Sequence, residues 1–528
     1  MTDELFELGS RVLRGRLSRR AFIGRAAALG ISAVSAQSIL AGAAQAAAPE
    51  RGGTMRVGMQ GGASTDSLDP ALAANQVTAT LNTLWGEGLV ALAPDGTLEP
   101  VLAESWMASD GGKTWTFEIR KGVVFSDGRS LMPADVVATI ERHRDKLSQS
   151  GALGILTDLT GVSADGNTVV FRLGQANADM PFLMQDYHLM IQPNGGRDAA
   201  TAAIGSGPYK LVETEPGVRH LFTRNESHWN AAKQGFADQV EILVINDPTA
   251  RVAAFQSGKV DMIDRIEPKT VALLKRLPGV SIKNVSGRGH YPFNMFCDTA
   301  PFDNPDLRLA LKLAMDREEM VKRILAGYGS VGNDTPINAA YPLFEPIEQR
   351  AFDPERAASH YKKSGHSGPI LLRTSEVAFP GAVDAAVLYQ QSCQKAGIEI
   401  EVKREPGDGY WSNVWNIQPF STSYWGGRAT QDQMYSTAYL STADWNDTRF
   451  KHPDFDTMLI NARGELDETK RRAIYRDMNE MVRDDGGTIV PMFNDFVDAV
   501  SEKVQGWVDN PAGELMNGFA PARCWLSA

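Results

Sequence analysis

The sequence is poor in cysteine. Its 528 residues include three, Cys297, Cys393 and Cys524, and no CxxC pair. Zinc sites and thioredoxin-like redox sites use closely spaced cysteines, so this spacing argues against both. At most one disulfide can form, and the sequence does not say which pair would make it. We expect these thiols to be buried or idle rather than catalytic.

An excess of basic residues is also missing, since the formal net charge is −11. Nucleic-acid binding needs a clustered basic surface that neutralises phosphates. The basic run KRR at 470–472 lies among Glu465, Asp467 and Glu468, a pattern typical of a solvated helix face. We therefore expect no nucleic-acid partner.

Motifs of common enzymes are lacking, because no GxSxG, HExxH or P-loop pattern occurs. One GxGxxG, at 327–332, follows a helical pattern over 318–325, whereas dinucleotide binding requires it after a strand. We interpret it as a helix stop and turn. The eight histidines are scattered, and His360 and His366 lack the spacing of zinc ligands. The sequence thus predicts no enzyme, no metal and no cofactor; a hydrolase, or a sensor or chaperone, is the alternative.

A short apolar segment follows two arginines near the N-terminus. Arg19 and Arg20 precede small apolar residues that end in AQA at 44–46. A positive start, a modest apolar stretch and an A-x-A site define an export signal, and paired arginines match its twin-arginine variety. A transmembrane anchor is the alternative, but the segment is short and is interrupted by Gln37. We predict cleavage near Ala46, export by the twin-arginine (Tat) translocase and a soluble periplasmic protein.

Beyond Pro49 the chain mixes two hydrophobic periodicities. Alternation of apolar and polar residues predicts strands, and spacing of three to four residues predicts helices. The strands are expected at 54–59, 114–120, 168–173 and 488–490, and the helices from Pro133 onward and over 468–484. This mixture predicts α/β domains.

Seven sequence runs, spread over most of the chain, occur together in one known family. They are SLDP at 67–70, LAESW at 102–106, TWTF at 114–117, FSDG at 125–128, GSGPYK at 205–210, NESHW at 225–229 and PFDNPDLRLAL at 301–311. The chain resembles the large periplasmic solute-binding proteins of the oligopeptide, dipeptide and nickel type, family 5 of the bacterial extracellular solute-binding proteins. These proteins serve ATP-driven (ABC) importers.

The resemblance implies an α/β, periplasmic-binding-protein-like fold of the cluster C type, with two lobes, a hinge and an extra inserted domain. After a signal peptide at 1–46, lobe I would comprise 47–92, 205–297 and 490–528, domain II 93–204 and lobe III 298–489. Ligand would bind between the lobes and be buried by hinge closure. The implied partners are a small-molecule or peptide-like ligand and an inner-membrane ABC permease with its ATPase. We expect a monomer.

One stretch combines aromatic and polar residues in the manner of a ligand cleft. Its predicted ligand contacts are Trp411, Trp415, Tyr424 and Trp425. The adjoining glycines at 426–427 allow close approach of the backbone to a partner. Packing within the core is the alternative for any one of these rings.

The residue after this glycine pair, Arg428, departs from the family pattern. In peptide-binding relatives, the position three residues after the tryptophan matching Trp425 commonly holds an Asp, which pairs with the free amino terminus of the peptide. An arginine fork instead favours a carboxylate, a phosphate or another anion. The alternative is a structural ion pair between Arg428 and Asp432, and both roles can coexist.

By the same resemblance, other segments should border the cleft. The candidates are Asn75, Gln76, Phe493 and Asn494, with Tyr291 and Asn294 as weaker ones near the crossing between lobes. A turn or hinge role is the alternative for each. The expected ligand is a small anionic or zwitterionic solute, such as a modified amino acid, an opine or an unusual peptide.

Overall fold

The computed structural model describes residues 49–527 except 74, 146, 377, 407–409 and 444; the side chains of residues 411 and 412 are also left aside. The predicted export signal with Arg19 and Arg20 therefore lies outside the described residues. Within them, no helix is both long and apolar enough to cross a membrane. The three cysteines are free thiols.

Lobe I is built on an eight-stranded mixed sheet. Its central strand, Thr54–Met59, is paired in parallel with a neighbour on each side and buries Met55, Val57 and Met59 completely. The strands in sheet order are Val280–His290, Met492–Ser501, Met262–Ile263, Thr54–Met59, Gln239–Val244, Arg219–Arg224 and Tyr209–Glu215, with Gly329–Val331 also paired to Met492–Ser501. Its helices are Gln76–Trp85, Pro248–Gln256, Pro268–Leu274, Glu514–Asn517 and Ala520–Arg523. A small two-stranded antiparallel sheet, Val504–Gln505 with Trp525–Leu526, lies at the C-terminal end.

Domain II contains a four-stranded antiparallel sheet. Its strands in sheet order are Ala103–Ser109, Thr114–Ile119, Thr168–Leu173 and Leu159–Asp165. Every second residue of Thr114–Ile119 is buried, as its sequence alternation predicts. Helix Pro133–His143 begins at a proline, buries Val136 and Ile140 in the same core, and is followed by the short helix Met180–Leu183. A hairpin, Val90–Leu92 with Leu98–Pro100, joins lobe I to this domain.

Lobe III has a five-stranded sheet and most of the helices. The strands in sheet order are Ile400–Arg404, Ile370–Thr374, Phe420–Thr422, Phe293–Met295 and Thr488–Ile489. The helices are Pro305–Leu313, Arg317–Arg323, Pro354–Ser364, Ala382–Gln394, Tyr410–Asn413, Gln431–Ala438, Pro453–Gly464 and Glu468–Asp485. Two hydrophobic cores result, one on the sheet and one among the last three helices.

The chain crosses between the two lobes at two adjacent places. Strand Val280–His290 belongs to lobe I and Phe293–Met295 to lobe III, so the sheet changes at 291–292, somewhat before the expected boundary at 297. On the return, Thr488–Ile489 belongs to lobe III and Met492–Ser501 to lobe I. These paired crossings form the hinge.

The GxGxxG segment lies against this hinge. Gly329 begins a short strand paired with Met492–Ser501, so the interpretation of the motif as only a helix stop and turn is wrong for its second half. A Cβ at Gly329 would lie 2.5 Å from the Phe493 carbonyl oxygen, and one at Gly332 2.0 Å from that of Val490. The glycines are needed because two backbones are in contact here.

Candidate ligand-binding site

A cleft of about 2270 Å³ lies between lobe I, domain II and lobe III. All three units supply polar, charged or aromatic side chains to its walls. These include Gln60, Arg265 and Glu514 from lobe I, Asp186 and Tyr187 from domain II, and Tyr424, Trp425, Trp445 and Arg428 from lobe III. The cleft therefore collects polar groups from parts of the chain that are far apart in sequence.

Domain II and lobe III are in contact on one side of the cleft. Arg471 Nη1 lies 2.8 Å from Asp179 Oδ1, and both side chains are buried. Arg463 adds a weaker ion pair to Asp158 at 3.5 Å, and its carbonyl accepts the Ala178 N–H at 2.7 Å. The structure is thus closed on this side, with ion pairs between the two units.

Arg428 lines the cleft on a loop that precedes helix Gln431–Ala438. Its Nη1 donates to the carbonyls of Gly426 and Gly427 at 3.1 and 3.3 Å, and its guanidinium lies 5.6 Å from the centre of the Trp425 ring. It forms no ion pair with any carboxylate of the described residues. Among the described residues, its partners are therefore carbonyl dipoles and an aromatic face.

The alternative considered for Arg428, an ion pair with Asp432, does not occur among the described residues. Asp432 instead accepts a hydrogen bond from Arg463 Nε at 3.0 Å and is almost fully buried. Residues four apart meet on a helix, but Arg428 lies before the helix N-cap, Thr430. Asp432 borders the cleft, yet its carboxylate is held by helix Pro453–Gly464.

Three tryptophans form a cluster beside Arg428. The ring centres of Trp415, Trp425 and Trp445 are 5.8–6.5 Å apart. The indole N–H groups of Trp415 and Trp425 donate to Asp447 Oδ2 at 2.8 and 3.1 Å, and burial raises the pKa of Asp447 to about 6. Trp425 and Trp445 line the cleft, whereas Trp415 is not among its lining residues. Trp411 belongs to a short helix, and its side chain lies outside the described part.

Sequence reasoning missed Arg288, at the lobe I side of the hinge. It is 2% exposed and donates through Nε to the Ala340 carbonyl at 2.8 Å, and through Nη1 to those of Arg428 and Ala429 at 3.1 and 3.2 Å. No described atom accepts a hydrogen bond from Nη2, and burial lowers the pKa of this guanidinium. A Cβ at Gly427 would lie 2.4 Å from Arg288 Cβ, so glycine lets the Arg428 loop approach. In the sequence, Arg288 stands near the end of a segment in which apolar and polar residues alternate, which is the feature that could have drawn attention to it.

The opposite wall contains an ion pair that was also missed. Arg265 Nε lies 3.1 Å from Glu514 Oε1, and both residues line the cleft. The predicted residues Tyr291 and Tyr424 lie near this pair, and Tyr291 is stacked on Phe379 at 4.4 Å. No local pattern joins residues 265 and 514, because they meet only in the folded chain.

Buried carboxylates lie behind Glu514. Asp498 Oδ2 accepts the Leu515 N–H at 2.8 Å, whereas Oδ1 has no hydrogen-bond partner among the described atoms. Burial raises the pKa of Asp498 well above its usual range and that of Asp264 to about 7, although Arg251 lies 3.4 Å from Asp264. Three carboxyl groups therefore lie together on this side of the cleft, whereas Arg288 and Arg428 lie together on the other.

The remaining predicted residues divide into two groups. Asn75 and Gln76 line the cleft, where Asn75 caps helix Gln76–Trp85 by accepting the Thr78 N–H at 3.1 Å; Asn494 also lines it. Phe493 and Asn294 are buried, against His290 and Thr488 respectively, and are not among the lining residues. Within the described part, no group of three His, Cys, Asp or Glu side chains is placed to hold a metal ion.

Comparison with known proteins agrees with this architecture. The model of the bacterial extracellular solute-binding proteins, family 5 Middle, matches residues 97–447. The chain is 26% identical over 474 residues to the periplasmic oligopeptide-binding protein OppA of Haemophilus influenzae, covering 82% of this chain and 87% of the relative.

Two solved structures share the fold. The periplasmic binding protein DppA of Helicobacter pylori, in complex with peptide STSA, has a TM-score of 0.76 at 21% identity, covering 91% of this chain and 99% of that one. AgaA from A. tumefacien R10, in complex with agropinic acid, has a TM-score of 0.75 at 21% identity, covering 90% and 99%. The two-lobed α/β fold implied by the sequence is confirmed. The chain belongs to family 5 of the bacterial extracellular solute-binding proteins, which serve ABC transporters.

Proposed function

We propose that this protein is the periplasmic substrate-binding component of an ABC importer, and that it captures a small anionic or zwitterionic, peptide-like solute. One observation carries the proposal: Arg428 lines the cleft and forms no ion pair with a described carboxylate. A guanidinium in such a cleft is stabilised when a ligand carboxylate or phosphate accepts two parallel hydrogen bonds.

The neighbourhood of Arg428 supports an anionic ligand group. Arg288 lies directly behind the loop and brings a second guanidinium without an ion pair among the described residues. Burying an unpaired charge costs several kcal/mol unless hydrogen bonds and a counter-charge compensate it. Two adjacent cations therefore favour an anion here over the peptide amine that the family's Asp would hold.

A hydrolase is the second candidate, and the cleft does contain a His–Asp pair. His188 Nδ1 lies 2.6 Å from Asp186 Oδ1, as in a catalytic dyad. However, His188 Nε2 is hydrogen-bonded to the Ala73 carbonyl at 2.9 Å, so the nitrogen that would act as base already has a backbone partner. This geometry favours a structural role for the pair.

The remaining parts of the proposal follow from the sequence and the family. Export would use the twin-arginine translocase, read from Arg19 and Arg20. Delivery would be to an inner-membrane permease with its ATPase, because closed and open forms of a binding protein differ in affinity for their partners. We propose a monomer.

A thermal-shift screen tests the ligand class. The probes are the peptide STSA, agropinic acid, glutathione and a set of small carboxylates and amines. A bound probe at 100 times its dissociation constant should stabilise the protein by about 2.7 kcal/mol. Stabilisation by carboxylates is the expected result. Strong stabilisation by amines that carry no anionic group would contradict the proposal.

Mass spectrometry of whatever co-purifies with the protein provides an independent test. We expect a small compound with at least one carboxylate or phosphate. Conversion of that compound to a product during native mass spectrometry would instead support the hydrolase function.

A further inference from the structure

The exposed aromatic side chains of the protein are concentrated in the cleft. In the part of the chain that the structure describes, the exposed ones are Tyr187 at 38%, Tyr424 at 53% and Trp445 at 51%. All three line the cleft between the lobes. Single exposed apolar residues are ordinary on a protein surface, whereas large rings gathered at one concave site indicate contact with a partner. These rings therefore carry information about what the cleft binds.

Two of the three rings flank Arg428. Trp445 packs on Trp425 with ring centres 6.0 Å apart, and the Arg428 guanidinium lies 5.6 Å from the centre of the Trp425 ring. Tyr187 approaches from domain II. Desolvation in the cleft raises the pKa of Tyr187 to about 12, and the nearby positive charge of Arg428 opposes part of this rise. An anion held by Arg428 would thus have aromatic surface on both sides.

The Trp445 ring is held from behind. Its centre lies 5.8 Å from that of Trp415 and 6.0 Å from that of Trp425, and both of these indoles donate to Asp447 Oδ2. The Trp445 carbonyl accepts the Asp447 N–H at 2.8 Å, so the backbone is tied to the same residue. A ring fixed in this way loses little conformational freedom when a ligand packs on it.

Tyr187 is supported in a similar way. Its ring lies 4.2 Å from the His188 ring at an interplanar angle of 31°. His188 Nδ1 lies 2.6 Å from Asp186 Oδ1, and Nε2 is hydrogen-bonded to the Ala73 carbonyl at 2.9 Å. Both ring nitrogens are therefore engaged, and the imidazole is a fixed support for Tyr187. This gives the His188–Asp186 pair a positioning role.

An aromatic group is the ligand part that such surfaces favour. Any apolar group gains by covering exposed ring surface, since it leaves water. A flat aromatic ring gains more, because edge-to-face and offset-stacked contacts between rings add to the burial of area. The guanidinium beside these rings supplies the charged contact for an anion.

We propose that the solute carries an aromatic ring next to its anionic group, with the anion at Arg428 and the ring against Trp445 and Tyr187. This inference rests on the proposed function and narrows it to one class of anion. The alternative is that the two rings only pack against the protein when the lobes close, in which case they would not discriminate between ligands.

Carboxylates that differ only in the flatness of their ring test the inference. One pair is phenylacetate and cyclohexylacetate, and the other is alanyl-phenylalanine and alanyl-cyclohexylalanine. Glucuronate is added because sugar rings also pack on aromatic faces. Calorimetry measures binding to the wild type, Trp445→Leu, Tyr187→Leu and Ile460→Ala. Leucine keeps apolar bulk and removes the ring, and Ile460, 49% exposed on helix Pro453–Gly464 outside the cleft, is the control.

The expected result is a preference for the aromatic member of each pair. The wild type should bind it about fivefold more tightly, because contacts between rings add to the burial of area. Apolar burial alone would favour the larger cyclohexyl group. Each leucine variant should reduce the preference by about twofold to threefold, since one ring contact is lost. Affinity for the cyclohexyl member should stay within about twofold, which also shows that the variant is folded. Ile460→Ala should behave as the wild type.

Other results would overturn the inference, and they separate it from the proposed function. Equal binding of the two members, tightest binding of glucuronate, or a loss in the leucine variants that is the same for both members refutes the aromatic ring. In each of these cases the protein still binds carboxylates, so the anion-binding function stands. Binding of no carboxylate at all refutes the proposed function and the inference with it.

Discussion

The two walls of the cleft differ in how their charges are compensated. On one side, Arg428 of lobe III and Arg288 behind it, from lobe I, rely on backbone carbonyls and have no ion pair among the described residues. On the lobe I side, Arg265 and Glu514 form an ion pair above buried acids. A ligand gains most binding energy where a charge of the protein has no counter-charge. A residue in an ion pair must first partly leave its partner before it can bind the ligand. Arg428 should therefore contribute more to ligand affinity than Arg265 or Glu514.

Arg428→Ala tests the first half of this comparison and should have the largest effect. If Arg428 holds a ligand anion, affinity for the best carboxylate of the screen should fall by roughly 2–5 kcal/mol, because a charged hydrogen-bonded contact is lost. Calorimetry measures this change, and the apo melting temperature should barely move. Arg404→Ala, an exposed arginine on the edge strand Ile400–Arg404, is the control. Loss of apo stability with intact affinity would show that Arg428 is structural.

Asp447→Asn removes the carboxyl group that accepts hydrogen bonds from Trp415 and Trp425, and it leaves the tryptophans beside Arg428 in place. Burial raises the pKa of Asp447 from 3.8 to about 6. As pH rises from about 4 to about 6 the unfolded chain ionises first, so the wild type loses stability over this window and levels off above it. The variant lacks this loss and should gain roughly 3 kcal/mol over the wild type across the window. Urea unfolding at several pH values measures it, and a difference independent of pH would contradict the assignment.

Arg288→Met tests whether Arg288 affects ligand binding through its contacts with the Arg428 loop. It removes the hydrogen bonds to the carbonyls of Arg428 and Ala429, so affinity for an anion should fall by about 1–3 kcal/mol. In a double-mutant cycle with Arg428→Ala the two losses should not add, because both act on the same loop. Additive losses would show that Arg288 acts independently of the Arg428 loop.

Arg471→Ala tests closure rather than either wall. Its ion pair with Asp179 joins lobe III to domain II, so losing it should favour the open form. We expect affinity to fall by about 1 kcal/mol for every ligand alike, with unchanged preference between carboxylates and amines. Lys470→Ala, an exposed neighbour, is the control. A change in preference would place Arg471 in the ligand site instead of the closure contact.

Much of the fold could be predicted because its signals are local. The alternation at Thr54–Met59, Thr114–Ile119 and Thr168–Leu173 identifies those strands, and the proline at 133 marks a helix start. Strand Gly329–Val331 could not be predicted in this way. Its pairing depends on the hinge strand Met492–Ser501, more than 150 residues away.

The same distinction between local and long-range signals applies to the candidate site. The loop at 424–428 stands out in sequence because its aromatic, glycine and arginine residues are contiguous. The alternative ion pair between Arg428 and Asp432 does not form, because the helix starts between the two residues and Asp432 is paired with Arg463 instead. Arg265, Asp498 and Glu514 could not be grouped, since each looks ordinary alone.

The sequence by itself thus determined the family and the α/β architecture, because short sequence runs and hydrophobic periodicities carry these signals. Only the tertiary structure decided which charges remain without a partner. Whether Arg428 meets a carboxylate of the protein, and whether Glu514 meets an arginine, depends on which distant segments folding brings within hydrogen-bond reach.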